Sequence, residues 1–257
     1  MPDRPYWDEA QLEHDHVTPA VLAIGDSWFW YPIGQCLLYP IVSGVWQKKY
    51  CLYAIGANGA EMRDFVDGKF RNVVRDALKA YGPGLSAVFL SGGGNDFAGW
   101  TDLRRLLKPD CTREAAAASC FDEQRIEKLF SALKRYYTAL IMQIQENCSA
   151  DIKVVVHNYD YALPSGAGLL GDQRWLRTPM ADRRVREALM AACVRYLIDQ
   201  LGVVLDELAA EYPCVRVVRS AGCLAADDWA NELHPTPAGF AKLVAQRWAP
   251  VLKDILP

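Results

Sequence analysis

Five short apolar runs alternate with stretches of helical periodicity along the chain, and this alternation constrains the fold more than any other feature. The runs are Ala20 to Ile24, Tyr50 to Ile55, Leu85 to Leu90, Ile152 to Val156 and Val215 to Val218. Their length and β-branched or aliphatic composition are those of buried strands. Between them, apolar residues recur at helical spacing. Met62, Phe65, Val66, Phe70, Val73, Val74 and Leu78 predict a helix from about Glu61 to Ala80, ended by Gly82-Pro83-Gly84. Asp122 to Asn147 is a second helix. Met180 to Glu211 is a third, which Gly202 is expected to kink or divide. A short helix is expected within Leu37 to Trp46. Thr236-Pro237 opens the last helix with a threonine cap and a proline at its first position, and that helix is expected to end near Trp248, before Pro250. Strands alternating with helices imply an α/β fold: a five-stranded parallel sheet with helices on both faces, three layers in all. Right-handed crossovers then bring every strand's carboxyl end to one edge. Residues 1–19 read as a polar lead-in, Phe97 to Phe121 as an irregular insertion with an alanine run, and residues 162–179 as a long glycine- and proline-rich loop. No internal repeat or low-complexity linker divides the chain, so residues 1–257 are read as a single domain.

A net charge of −3 with both signs interspersed argues against a nucleic-acid groove or a polybasic membrane patch. No apolar run reaches bilayer length, so no transmembrane segment is expected. The amino terminus, MPDRPYWDEAQLEHDH, is polar and acidic and is no secretory signal as it stands. The expected compartment is the cytoplasm, with export by another route left open. The eight cysteines form no CxxC pair and no zinc-ligand spacing with histidine. Cys51, Cys193 and Cys214 lie in apolar surroundings as small core residues. Cys111 and Cys120 bracket an alanine-rich segment and would close a loop disulfide only in an oxidising compartment; free thiols are the favoured state.

The chemistry gathers at the strand ends. Gly25-Asp26-Ser27 follows the first strand, where open α/β sheets bind ligands. Taken alone it reads as a turn. Gly59 follows the second strand, Asn95 the third, and His234 lies in the loop after the fifth. A hydroxyl, an imidazole, a glycine amide and an asparagine amide on one edge are the parts that acyl transfer to serine requires: nucleophile, base and oxyanion donors.

These blocks resemble the SGNH, or GDSL-type, hydrolases. Gly25-Asp26-Ser27 matches the first block. Ala54-Ile-Gly56-Ala-Asn-Gly59 matches the second loosely, with alanine for the leading asparagine. Gly93-Gly94-Asn95-Asp96 matches the third, and His234-Pro235 the last. The resemblance spans Ser27 to His234 in family order. It implies a flavodoxin-like sheet, Ser27 as nucleophile, His234 as base, and an oxyanion hole from the amides of Ser27 and Gly59 and the side chain of Asn95, with Gly56 as runner-up to Gly59. It implies no metal or organic cofactor. The position that usually carries the acid is Asn231. Either Asn231 orients His234, or Asp227, Asp228 or Glu232 supplies the charge, or Ser27 and His234 act as a dyad.

The expected function is a serine esterase or acylhydrolase acting on a small-molecule, glycan or lipid ester. The loop from Leu163 to Pro179 and the insertion from Phe97 to Phe121 are expected to set specificity. The competing reading is a catalytically weakened protein on the same scaffold that binds a glycan or acyl ligand; a nucleotide-binding flavodoxin-like protein is a third. Trp28, Phe29, Trp30 and Tyr31 are read as pocket lining or core, His157 as a possible substrate contact, and Asp26 and Asp96 as site-shaping. The sequence leaves the oligomeric state open.

Overall fold

The computed structural model describes residues 4–30, 36–169, 171 and 173–256. The expected strands form one parallel sheet: β1 (Val21–Gly25), β2 (Leu52–Gly56), β3 (Ala87–Ser91), β4 (Lys153–His157) and β5 (Val215–Val218), in the order β2-β1-β3-β4-β5. Nearly every strand residue is buried, as a parallel sheet covered on both faces demands. The strand order reverses beside β1. The carboxyl end of β1 is therefore the crevice where such sheets place ligands. Register puts Gly25 beside Gly56 on one side and beside Ser91 on the other. The loops that follow β1, β2 and β3 thus leave the sheet at one level.

The helices, in chain order, are α1 (Glu9–His14), α2 (Leu38–Pro40, running into a π turn at Ile41–Val45), α3 (Met62–Val66), α4 (Arg71–Tyr81), α5 (Gly94–Phe97), α6 (Trp100–Leu106), α7 (Glu123–Asn147), α8 (Arg177–Asp182), α9 (Glu187–Glu211), α10 (Pro237–Leu243) and α11 (Ala249–Ile255). One layer joins α3, α4, α7 and α9; in the other, residues 41–45 pack against the carboxyl-terminal helices. Phe89 of β3 meets Trp46 and Trp248 of that second layer at ring distances of 5.7 and 5.6 Å.

Several elements differ from the sequence pattern, each for a local reason. The helix expected over residues 61–80 is two. The amides of Asp67 and Gly68 both return to the Arg63 carbonyl and close α3, and Phe70 closes on Asp64. In the insertion, the alanine run yields only a 3-10 turn at Ala118–Cys120. The helix expected from Met180 starts at Glu187, because Arg184 adopts a left-handed φ of 56°. Gly202 does not divide α9; it is buried, and a Cβ there would lie 3.5 Å from the Asn158 amide nitrogen. The last helix continues beyond Pro250 to Ile255 through a π turn at Val244–Trp248. Pro250 falls in the first turn of α11, where no helical N–H is required of it. The lead-in is not merely polar: Tyr6 pairs with β2 through Tyr6 N to Leu52 O and Ala54 N to Tyr6 O, both 2.8 Å, and covers that sheet edge.

By length and composition α9 is apolar enough to cross a membrane, with mean hydropathy 1.6, a criterion that the core helix of a soluble fold also meets. Arg195 and Asp199 interrupt its apolar run. Half of its apolar window is buried in this structure, where α9 packs on α7, β4 and β5. Cys111 and Cys120 are buried thiols.

The pairing of Gly25 with Gly56 leaves no room for a side chain. A Cβ on Gly56 would lie 1.7 Å from the Gly25 carbonyl oxygen, which is backbone and cannot rotate away. Gly56→Ala is therefore expected to cost about 3 kcal/mol or more, the upper end for overpacking. A urea midpoint followed by circular dichroism measures it.

Candidate active site

Ser27 stands two residues beyond β1 in a turn built by the side chain before it. The Asp26 carboxylate accepts from the amide of Trp28 (3.0 Å), the hydroxyl of Ser91 (2.9 Å) and the hydroxyl of Tyr159 (2.6 Å). Burial pushes the Asp26 carboxyl up to about 6, against the pull of these hydrogen bonds. Asp96 likewise accepts a backbone amide, that of Met62 at 3.0 Å, and burial pushes it up to about 7. Both aspartates shape the backbone around the site, as the sequence suggested.

His157 is not a substrate contact. It is fully buried behind Ser27, and burial pushes its imidazole down to about 3. Its Nδ1 accepts from the amide of Tyr159 (3.3 Å), so Nε2 carries the proton and donates to Ser91 Oγ (2.9 Å). Ser91 in turn donates a hydrogen bond to Asp26. The network closes on itself, since Tyr159 supplies both its first amide and its last hydroxyl.

The serine, the imidazole and the amide singled out in the sequence meet. His234 Nε2 lies 2.8 Å from Ser27 Oγ, and His234 Nδ1 lies 3.0 Å from Asn231 Oδ1. The protonation of the ring follows from the backbone. The amides of Leu233 and His234 both point at one side-chain atom of Asn231, at 2.9 Å each. Two N–H donors require an acceptor there, so that atom is the oxygen. An oxygen facing Nδ1 requires Nδ1 to carry the proton. Nε2 is then bare and accepts from the serine hydroxyl. Burial pushes His234 down to about 4, so the ring is neutral across the neutral range. The other carboxylates weighed for this role face elsewhere. Asp228 binds Lys242 Nζ (2.6 Å) and the amide of Ala225, Asp227 is exposed, and Glu232 receives the amides of Gly166, Leu176 and Arg177.

A narrow cleft of about 440 Å³, its mouth included, opens at Ser27. Asn95 shares it. Phe97, Ala98, Leu176, Val194, Ile198 and Leu233 give it apolar walls. Asn95 sits in α5, which the left-handed backbone of Gly93 (φ 99°) turns out of β3; that turn, not a phosphate cradle, accounts for the glycine there. One proton of the Asn95 amide goes to Ala60 O at 3.0 Å. Gly59 precedes Ala60 in the loop after β2, beside the cleft rather than among the residues that line it. Gly56 is spent on packing against Gly25. Of the aromatic run, Trp28 lines the cleft and donates from its indole to Leu233 O (3.0 Å), Phe29 lies in the core, and Trp30 packs on Trp7. Tyr31 lies outside the described residues. Among the described residues no cluster of three or more His, Cys, Asp or Glu side chains is arranged to hold a metal ion.

No sequence-family model matches the chain. No curated protein matches it in sequence. Solved structures do match in shape. An extracellular lipase from Streptomyces rimosus is 19% identical over 91% of this chain and 98% of its own, with a TM-score of 0.51. A phospholipase A1 from Streptomyces albidoflavus is 17% identical over 93% and 100%, at 0.54. A protein from Slackia heliotrinireducens, provisionally described as an SGNH hydrolase, is 12% identical over 93% and 100%, at 0.50. The chain has the SGNH hydrolase fold. Within this SGNH fold, sequence reasoning missed the wall residues Val194 and Ile198. They sit one turn apart on α9 within its apolar stripe, and nothing in the pattern separates cleft from core. Tyr159 and Asp160 were findable, since they follow β4 on the same edge.

Imidazole NMR reads the ring directly. His234 is expected to titrate near pH 4, with the proton on Nδ1 at neutral pH. Asn231→Asp sets a carboxylate against that proton and is expected to raise the midpoint by about 1 to 3 units. A neutral ring protonated on Nε2 would overturn the assignment of the Asn231 oxygen.

Proposed function

We propose that the protein is a serine hydrolase of carboxylic esters. The observation that carries this reading is the chain of contacts from Asn231 Oδ1 through His234 to Ser27 Oγ, with its proton order fixed, at the mouth of an apolar cleft. Two of the structures similar in shape are a lipase and a phospholipase by name, which supports ester chemistry at the level of the fold.

In this mechanism Ser27 Oγ attacks the ester carbonyl while His234 Nε2 takes its proton. The carbonyl oxygen becomes an oxyanion facing the amides of Ser27 and Gly59 and the second proton of the Asn95 amide, the first being held by Ala60 O. His234 then gives the proton to the departing alkoxide, leaving an acyl-serine. A water, deprotonated by the same nitrogen, attacks the acyl carbon and releases the acid and free Ser27. Asn231 holds Nδ1–H throughout. It supplies no charge to the imidazolium, so the ring's basicity is set by burial. The apolar walls suit an alkyl or aryl portion of the substrate.

Ser27→Ala is expected to abolish both hydrolysis of short p-nitrophenyl esters and labelling by a fluorophosphonate. Labelling that survives in this variant would displace Ser27 as nucleophile, and a wild type inert to both reagents would favour the binding-only reading. Asn95→Ala is expected to lower kcat by about 10² to 10³-fold, the value of one oxyanion donor. Asn231→Ala frees the ring to take the wrong tautomer, and its cost should fall between about 10- and 10⁴-fold.

The pH profile carries a sign. The base works only when neutral, and His234 is depressed to about 4. Activity should therefore be full at neutral pH and fall as pH drops through about 4, not through the usual imidazole range near 6.5. An acidic limb near 6.5 would show that the ring is solvated.

A further inference from the structure

Glu232 lies between Asn231 and His234 in sequence, yet its side chain belongs to another part of the molecule. It is buried, with 1% of its surface exposed. Oε1 accepts from the amides of Gly166 and Arg177, both at 2.9 Å, and Oε2 from the amide of Leu176 at 3.0 Å. A fourth bond runs from the Glu232 amide to Ala167 O at 2.9 Å. All four partners lie in the segment 166–177, between β4 and the first turn of α8, where regular structure is sparse.

The carboxyl end of that segment walls the cleft. Leu176 lines it beside Ser27, and Trp175 sets its ring edge toward His234 at 5.8 Å. Elsewhere the segment is fixed by the amide of Gly99 on Trp175 O, at 2.9 Å. The Arg177 guanidinium is turned away to Glu187 (2.9 Å), so among the described residues only backbone amides clasp the carboxylate. Hydrogen bonds to an ionised acceptor are stronger than neutral ones, and the buried amide of Leu176 and the part-buried amides of Gly166 and Arg177 would be costly to leave without an acceptor.

We propose that Glu232 is a positioning residue for substrate selection: its carboxylate holds the segment 166–177 so that Leu176 forms one wall of the cleft beside Ser27. The proposal rests on the ester-hydrolase reading. Glu232 acts on the wall rather than on the reacting atoms, and its loss should appear in selectivity for the apolar part of the substrate. A carboxylate fits better than an amide. A glutamine can keep its oxygen on the Gly166 and Arg177 amides only by turning its own NH2 toward the Leu176 amide.

The test uses Glu232→Ala, Glu232→Gln and Leu176→Ala with p-nitrophenyl acetate and hexanoate. In Glu232→Ala the ratio of kcat/KM for hexanoate over acetate is expected to fall about tenfold or more, chiefly through KM for hexanoate. Glu232→Gln should fall between that variant and the wild type. Leu176→Ala should lower the ratio by itself, and adding Glu232→Ala to it should lower the ratio little further, since both act through one wall. Hydrogen exchange should speed at the amides of Gly166, Leu176 and Arg177 while the sheet stays protected.

An unchanged ratio in both Glu232 variants overturns the proposal. So does an equal fall for both esters and for fluorophosphonate labelling of Ser27, or the unfolding of both variants, either of which makes the role one of general structure. A wild type that neither hydrolyses esters nor takes the label is a different failure. It defeats the hydrolase reading and the selectivity proposal with it.

Discussion

The site depends on one atom, the side-chain oxygen of Asn231, and on the three N–H groups that converge on it. Two come from the backbone of Leu233 and His234 and one from the imidazole. In a serine protease, changing the triad acid to an amide is ruinous because the amide can offer its NH2 to the ring and reverse the tautomer. Here the turn forbids that choice. The backbone amides demand an acceptor before the ring does, so asparagine presents the same oxygen that a carboxylate would. What asparagine does not provide is charge. Burial keeps the basicity of the ring low.

A second closed network is built on Asp26, the residue before Ser27. Tyr159, His157, Ser91 and Asp26 return upon themselves, joining the carboxyl ends of β1, β3 and β4 through side chains where the ladder hydrogen bonds stop. The arrangement is also a Ser-His-Asp set, but its logic differs from the one above it. Its serine donates to the carboxylate, its histidine donates to the serine, and none of it reaches the cleft except through Tyr159 and the edge of Asp26. A histidine pushed down to about 3 and held on both nitrogens is a neutral hydrogen-bond bridge, not a base.

The sequence revealed the architecture and the candidate site residues more readily than what holds them. Strand ends are legible because apolar runs stop abruptly, and a parallel sheet gathers those stops at one edge; Ser27, Asn95 and His234 were found that way. The split between α3 and α4 was not legible, since the apolar stripe runs through both helices while the break depends on two amides sharing the Arg63 carbonyl. His157 is the opposite case. It follows a strand on the active edge, and only burial distinguishes it from a contact residue. Glu232 was misjudged for a related reason: proximity to His234 in sequence suggested proximity in charge, but the turn directs successive side chains to different elements.

That divergence makes the turn from Asn231 to His234 a junction. Asn231 fixes the ring, Glu232 clasps the segment before α8, Leu233 lines the cleft and offers its carbonyl to the Trp28 indole, and His234 reaches Ser27. The His234 ring, the cleft wall and the residue after Ser27 are therefore held by four consecutive positions. Such economy separates two demands that a single acid would have to meet together. An amide orients the imidazole, and a carboxylate one residue on is saturated by backbone N–H groups that belong to the wall. The carboxylate nearest in sequence to His234 thus spends its hydrogen bonds on the backbone of residues 166, 176 and 177, beside the cleft, and not on the ring.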